Sequence, residues 1–142
     1  MGFWHKDTES TDWLAKVSFF EGFSHSELQR VLELSEEVEA EPGAELTDQG
    51  DPGQDCFVIV EGTASVYVGA EHIAGLSDGS MVGEMALIDH RPRSATVVAD
   101  TPMKLLKFDA SQFRTLLTEM PKASQRVMAV LNARLRKADS AM

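Results

Sequence analysis

Hydrophobic positions along the chain follow two periods, and the change falls near Val38. Upstream the spacing is helical. Trp13, Leu14 and Val17 share one side of a short helix predicted over Thr11 to Val17, after ten polar and charged residues expected to fray. Ser24-His25-Ser26-Glu27 has capping-box spacing, and the helix it opens would bury Leu28, Val31, Leu32 and Leu34. Downstream, short extended segments are cut by turns at Glu41-Pro42-Gly43, Gly50-Asp51-Pro52-Gly53, Glu61-Gly62, Gly69-Ala70 and Ser77-Asp78-Gly79. Turns every ~8–12 residues predict an all-β barrel or jelly roll. Ala64, Val66 and Val68 alternate with Ser65 and Tyr67, the pattern of a strand with one buried face. Met103 to Phe108 reads as the last strand, and Asp109 to Gln112 can cap a helix beginning near Ser111. Pro121 interrupts that helix. A final one is predicted over about Lys122 to Lys137, with Val127, Val130, Leu131, Arg134 and Leu135 on one stripe. No repeat or low-complexity tract is present.

Composition narrows the function classes. The 142 residues and their 43% apolar share suit one ordinary globular domain, large enough to bury roughly two-thirds of its unfolded surface. With 23 acidic against 13 basic residues the net charge is −10, a field that repels polyphosphate and argues against nucleic-acid binding. The basic residues Lys122, Arg126, Arg134, Arg136 and Lys137 read as a solvated helix face. Cys56 is the only cysteine, so no intrachain disulfide can form, and its place at the start of an apolar strand predicts a buried thiol. No apolar run approaches the ~20 residues that span a bilayer, and no signal-peptide pattern opens the chain. The expected location is cytoplasmic. His5, His25, His72 and His90 are scattered, without the clustered spacing of a metal site, and no nucleophile–base constellation stands out. A metalloenzyme and catalysis of other kinds are therefore not expected.

The chemistry concentrates in Gly83-Glu84-Met85-Ala86-Leu87-Ile88-Asp89-His90-Arg91-Pro92-Arg93-Ser94-Ala95-Thr96-Val97. A glycine opens a short apolar turn, an acid follows it, and an arginine stands ten positions past the glycine. Backbone N–H groups at a helix start and a guanidinium are the means of holding one phosphodiester. The Glu84 carboxylate would repel that phosphate and so needs a hydroxyl donor, such as a ribose 2'-OH. A phosphate beside a free 2'-OH in a one-nucleotide pocket points to a 3',5'-cyclic nucleotide.

At these residues the chain resembles the cyclic nucleotide-binding domain family, found in protein kinase regulatory subunits, gated channels and catabolite-activator-type regulators. Gly83-Glu84-Met85-Ala86-Leu87 and Pro92-Arg93-Ser94-Ala95-Thr96 match the two halves of the family's phosphate-binding cassette at the family's spacing. Gln49-Gly50-Asp51-Pro52-Gly53 with Phe57-Val58-Ile59-Val60-Glu61-Gly62 is similar to its turn and following strand, and Phe19-Phe20-Glu21-Gly22-Phe23-Ser24 to its opening. Together these cover roughly residues 16 to 120. The resemblance implies a mainly β fold, an eight-stranded jelly-roll barrel with N-terminal helices and a C-terminal helix pair. One domain over 1–142 is expected: a helical lead-in about 9–37, a β-roll about 38–108 with its cassette at 83–96, and C-terminal helices about 111–138.

By the same resemblance Arg93 holds the phosphate and Glu84 accepts from the ribose hydroxyl. Gly83 lets the backbone approach with a positive φ, the Met85 and Ala86 amides meet phosphate oxygens, and Ser94 with Ala95 completes the set. Arg91 is expected to face solvent. Serine at position 94 leaves the base open between cAMP and cGMP, with cAMP favoured. Leu131, Arg134 or Leu135 would cover the purine, although plain core or a dimer seam accounts for the same stripe. The 23 residues after Glu119 are too few for the helix-turn-helix domain of the bacterial regulators, so a self-contained transcription factor is not expected. The implied role is a non-catalytic sensor that signals to an effector protein in trans, with a homodimer through the last helix compatible. The alternative is a jelly-roll interaction module whose ligand is lost or altered.

Overall fold

The computed structural model describes residues 9–83, 87, 92–129 and 132. Helix α1 (Glu9–Leu14) and α2 (His25–Leu34) precede strands β1 (Glu36–Ala40), β2 (Glu45–Thr47), β3 (Asp55–Glu61), β4 (Ala64–Val68), β5 (Glu71–Leu76), β6 (Met81–Val82), β7 (Thr96–Ala99) and β8 (Met103–Asp109). Helix α3 (Ala110–Glu119) and a helical stretch over 121–129 follow. The caps of α2 and α3 are reciprocal. Ser24 Oγ accepts from Glu27 N at 3.2 Å while Glu27 Oε1 accepts from Ser24 N at 2.7 Å. Asp109 Oδ1 accepts from Gln112 N at 2.7 Å, and Gln112 Oε1 from Asp109 N at 2.8 Å. Each box satisfies amides that the helix itself leaves unpaired, a contribution of ~1 kcal/mol.

The eight strands found among the described residues form two four-stranded antiparallel sheets, ordered β1-β8-β3-β6 and β2-β7-β4-β5. This is the jelly-roll sandwich, with helices before it and a helix pair after it. Strand β3 explains its own sequence. Cys56, Val58 and Val60 join Leu106 and Phe108 in a core beneath the helices, while Phe57 and Ile59 join Leu105, Val97 and Ala99 in the core between the sheets. Both faces are covered, so Cys56 to Val60 is an unbroken buried run rather than an alternating one. Cys56 is fully buried, as its place in the strand predicts.

Several local expectations shift. Helix α1 runs over Glu9–Leu14 rather than Thr11 to Val17: it takes in Glu9 and buried Ser10 from the stretch expected to fray, and Val17 is buried in the turn that follows. Leu32 is only half-buried, whereas Leu28, Val31 and Leu34 are buried as predicted. Strand β1 begins at Glu36 rather than Val38. The alternation expected of β4 is replaced by a gradient: Ala64 and Ser65 are buried, Val66 and Tyr67 half-buried and Val68 42% exposed, beside the solvent-facing edge strand β5. The last helical stretch includes Pro121 itself, since proline's fixed φ and missing N–H suit the first helical turn.

Candidate functional site

Gly83 directly follows β6 and has φ +82°, a conformation that side chains disfavour. Space is the second constraint. A Cβ here would collide with Nη1 of Arg93 and lie 3.1 Å from its Cζ and 3.3 Å from the Asp55 carbonyl oxygen. Glycine at 83 thus makes room for the arginine ten residues later.

Arg93 is held at both its backbone and its side chain. Its N–H donates to Asp51 O at 2.8 Å and its carbonyl accepts from Gly50 N at 2.9 Å, so the Gly50-Asp51 turn clamps it. The side chain is buried at 6% exposure. Nη1 donates to Gly83 O at 2.8 Å, and Nη2 donates to Asp55 O at 2.5 Å and Asp55 Oδ1 at 3.1 Å. A guanidinium carries five N–H donors, and these acceptors engage its two terminal nitrogens. The Asp55 carboxylate also meets a second cation, with Oδ2 3.8 Å from Lys107 Nζ on β8.

The same turn reaches the strand after the cassette and the β4–β5 hairpin. Gln49 N donates to Thr96 Oγ1 at 3.0 Å, and that hydroxyl donates to Asp48 Oδ1 at 3.2 Å. Gln49 Oε1 accepts from Gly69 N at 2.8 Å. Buried Thr47 donates to Ala95 O at 3.0 Å. The segment 93–96 is therefore fixed by residues 47–51, which pack against it through pairing that runs forty-odd positions along the chain.

Of the predicted site residues, Gly83 and Arg93 come together, Ser94 is exposed beside them and Ala95 is half-buried. Glu84, Met85, Ala86, Arg91, Leu131, Arg134 and Leu135 lie outside the described residues. Leu87 packs partly against the helix-side core. Sequence reasoning missed Asp55 and Lys107. Asp55 had one legible signal: a buried arginine requires acceptors, and Asp55 opens the apolar strand that follows the Gly50–Gly53 turn. Among the described residues no group of three or more His, Cys, Asp or Glu side chains is placed to hold a metal. A cavity of about 220 Å³ is lined by Glu39, Ala40, Glu41, Glu61, Pro102, Met103 and Lys104, at the other end of β3 from Asp55. Its three glutamates make it a poor place for an anion.

On the helical side, two of the basic residues expected to form a solvated face make specific contacts, while Arg134, Arg136 and Lys137 lie outside the described residues. Arg126 donates to Phe19 O at 2.8 Å and Glu21 O at 2.5 Å. Lys122 donates to Gly22 O at 2.8 Å and Glu27 Oε1 at 3.1 Å. Arg30 forks onto Glu119, at 2.8 Å through both Nε and Nη2, and joins α2 to α3. The Ser24 amide, and then Lys122, hold the Glu27 carboxyl below its usual range, and Arg30 does the same for Glu119. Arg30 in turn is raised, first by Glu119 and then by Glu33.

The family model described as "Cyclic nucleotide-binding domain" matches residues 37–120. A cAMP-dependent protein kinase regulatory subunit of Colletotrichum orbiculare is 32% identical over 108 residues, which are 75% of this chain and 28% of that protein. The chain thus spans little more than a quarter of that relative's length. The Thermus thermophilus catabolite activator protein superposes with a TM-score of 0.76 at 28% identity, over 87% of this chain and 60% of that one. The N-terminal domain of a transcriptional regulator from Streptomyces coelicolor A3(2) gives 0.75 at 26% identity, over 92% and 94%.

Proposed function

Because this chain belongs to the cyclic nucleotide-binding domain family, we propose that it binds a 3',5'-cyclic nucleotide, cAMP in preference to cGMP, without catalysis. One observation carries the reading. Arg93 is fixed at the edge of the β-roll, beside a glycine that admits it, by acceptors that fall on its two terminal nitrogens. An arginine positioned before the ligand arrives loses little freedom on binding, so a bidentate guanidinium–phosphate contact keeps most of its energy. In this reading Glu84 accepts from the ribose 2'-OH, and the Met85 and Ala86 amides, with Ser94 and Ala95, complete the phosphate cradle. Leu131, Arg134 or Leu135 covers the base. The occupied state passes to an effector protein through the helix after Pro121, which rests on the 19–22 turn. Ligand shifts that equilibrium only by its differential affinity for the two arrangements. Among the described residues no helix is long and apolar enough to cross a membrane.

The test is isothermal titration with cAMP and then cGMP, on protein unfolded and refolded to strip carried-over nucleotide. Saturable binding, weakened at least ~10-fold in Arg93→Lys, is expected, because lysine keeps the charge and loses the fork. No heat with either nucleotide would overturn the reading. It would favour a second one, an interaction module in which Arg93 is structural. That alternative draws on the Asp55 carboxylate, which already neutralises the buried guanidinium.

A further inference from the structure

We propose that Lys107 sets the anion affinity of the Arg93 site by restraining the Asp55 carboxylate, in a Lys107–Asp55–Arg93 series of alternating charge; this rests on the cyclic nucleotide reading above. Asp55 presents one oxygen to each cation: Oδ1 accepts from Arg93 Nη2 at 3.1 Å, and Oδ2 lies 3.8 Å from Lys107 Nζ. The register brings them together. Lys107 sits opposite Phe57 on β3, and Asp55 sits opposite Asp109, so lysine and aspartate are diagonal neighbours on one face of the ladder.

Charge balance gives the contact its purpose. Arg93 with Asp55 alone is neutral, and a bound phosphodiester would leave the group at −1, with a carboxylate one guanidinium away from the phosphate. Lys107 offsets the Asp55 charge in a chain whose net charge is −10. It also draws the carboxylate toward β8, which leaves more of the guanidinium's field for an anion. Two other carboxylates near the lysine are not its partners. The Asp109 carboxylate that faces Asp55 across the ladder is engaged as the cap of α3. Glu36, which faces Lys107 from β1, forms no ion pair with it among the described residues. Lys107 is a positioning residue, acting through Asp55 and not on the ligand.

The experiment is a double-mutant cycle read by cAMP titration on the full chain. Lys107→Met should weaken binding about three- to fivefold, the order of a partly exposed ion pair, and Lys107→Arg should restore it. In an Asp55→Asn background, which keeps an acceptor for Arg93 and removes the charge, Lys107→Met should change affinity by less than about twofold. Equal losses in both backgrounds would show that the lysine acts on the anion or on the fold directly, and would overturn the proposal. So would unchanged affinity of Lys107→Met beside a wild type that binds. If Asp55→Asn abolishes binding, Asp55→Glu supplies the second background: Lys107→Met should there cost the same three- to fivefold only if the longer carboxylate still spans Arg93 and Lys107, and a loss in Lys107→Met that Lys107→Arg fails to restore overturns the proposal. A wild type that binds neither nucleotide overturns the cyclic nucleotide reading itself, and this proposal with it.

Discussion

Two sets of arginine and lysine contacts hold this molecule, and they differ in kind. At the end of the β-roll, Arg93 is buried and its donors meet two backbone carbonyls and one carboxylate. On the helical side, Arg30 and Lys122 are 40% and 45% exposed and end on exposed or half-buried glutamates, while half-buried Arg126 ends on the Phe19 and Glu21 carbonyls. Buried, charge-assisted bonds to fixed backbone oxygens cost a great deal to break, because the acceptors are left without water. Exposed ion pairs are screened and contribute little each. The ion pairs therefore hold the candidate anion site more firmly than they hold the helical side, where buried Ala123 and Val127 supply the rest of the attachment.

The sharpest way to break that contrast is at Arg93. Arg93→Ala strands the Gly83 and Asp55 carbonyls and the Asp55 carboxylate, and should lower stability by about 3 kcal/mol in urea unfolding. A loss below about 1 kcal/mol would place Arg93 with the weak surface contacts and remove the distinction. Gly83→Ala comes next. A methyl group there meets the guanidinium and needs an unfavourable φ, so about 2 kcal/mol of stability should go. Anion affinity should fall with it, because Arg93 must shift to make room.

Arg126→Met tests the other region. It removes donors to Phe19 O and Glu21 O near the surface, and a loss of about 1 kcal/mol is expected. Proteolysis should then cut within 121–129 faster, while cleavage in the β-roll stays unchanged. Equal acceleration in both places would mean that the helix and the roll open as one unit, against the division drawn above.

Legibility in the sequence follows the same line. Capping boxes, turn spacing and the unbroken Cys56–Val60 run are local signals, so the helices, the sandwich and the buried thiol could be read directly. Gly83 and Arg93 could be read as well, being ten residues apart in one motif. Asp55 left only the weak signal of an acid opening an apolar strand, and Lys107 left none, because the β3–β8 register that joins them spans fifty residues and leaves no periodic trace. The partners of Lys122 and Arg126 were hidden for a related reason. Their acceptors are backbone carbonyls in the 19–22 turn, about a hundred positions away, and a carbonyl has no residue identity to recognise.

The gentlest perturbation is acid, and its sign follows from the glutamates. Glu27 and Glu119 are both held below the usual 4.5, by the Ser24 amide and Lys122 in one case and by Arg30 in the other. A carboxyl depressed in the folded protein stabilises it fully above 4.5, and that contribution disappears as pH falls through the lower folded value. Both groups tie helices to one another, so their protonation should loosen the helical side first. Amide hydrogen exchange, corrected for its intrinsic pH dependence, should then show protection lost over 121–129 and at the start of α2 below pH 4.5, with β3 and β8 unchanged. High salt near neutrality should reproduce part of the effect, since it screens exposed pairs and leaves buried ones intact. Loss of protection in β3 before the helices would reverse the ranking of the two regions.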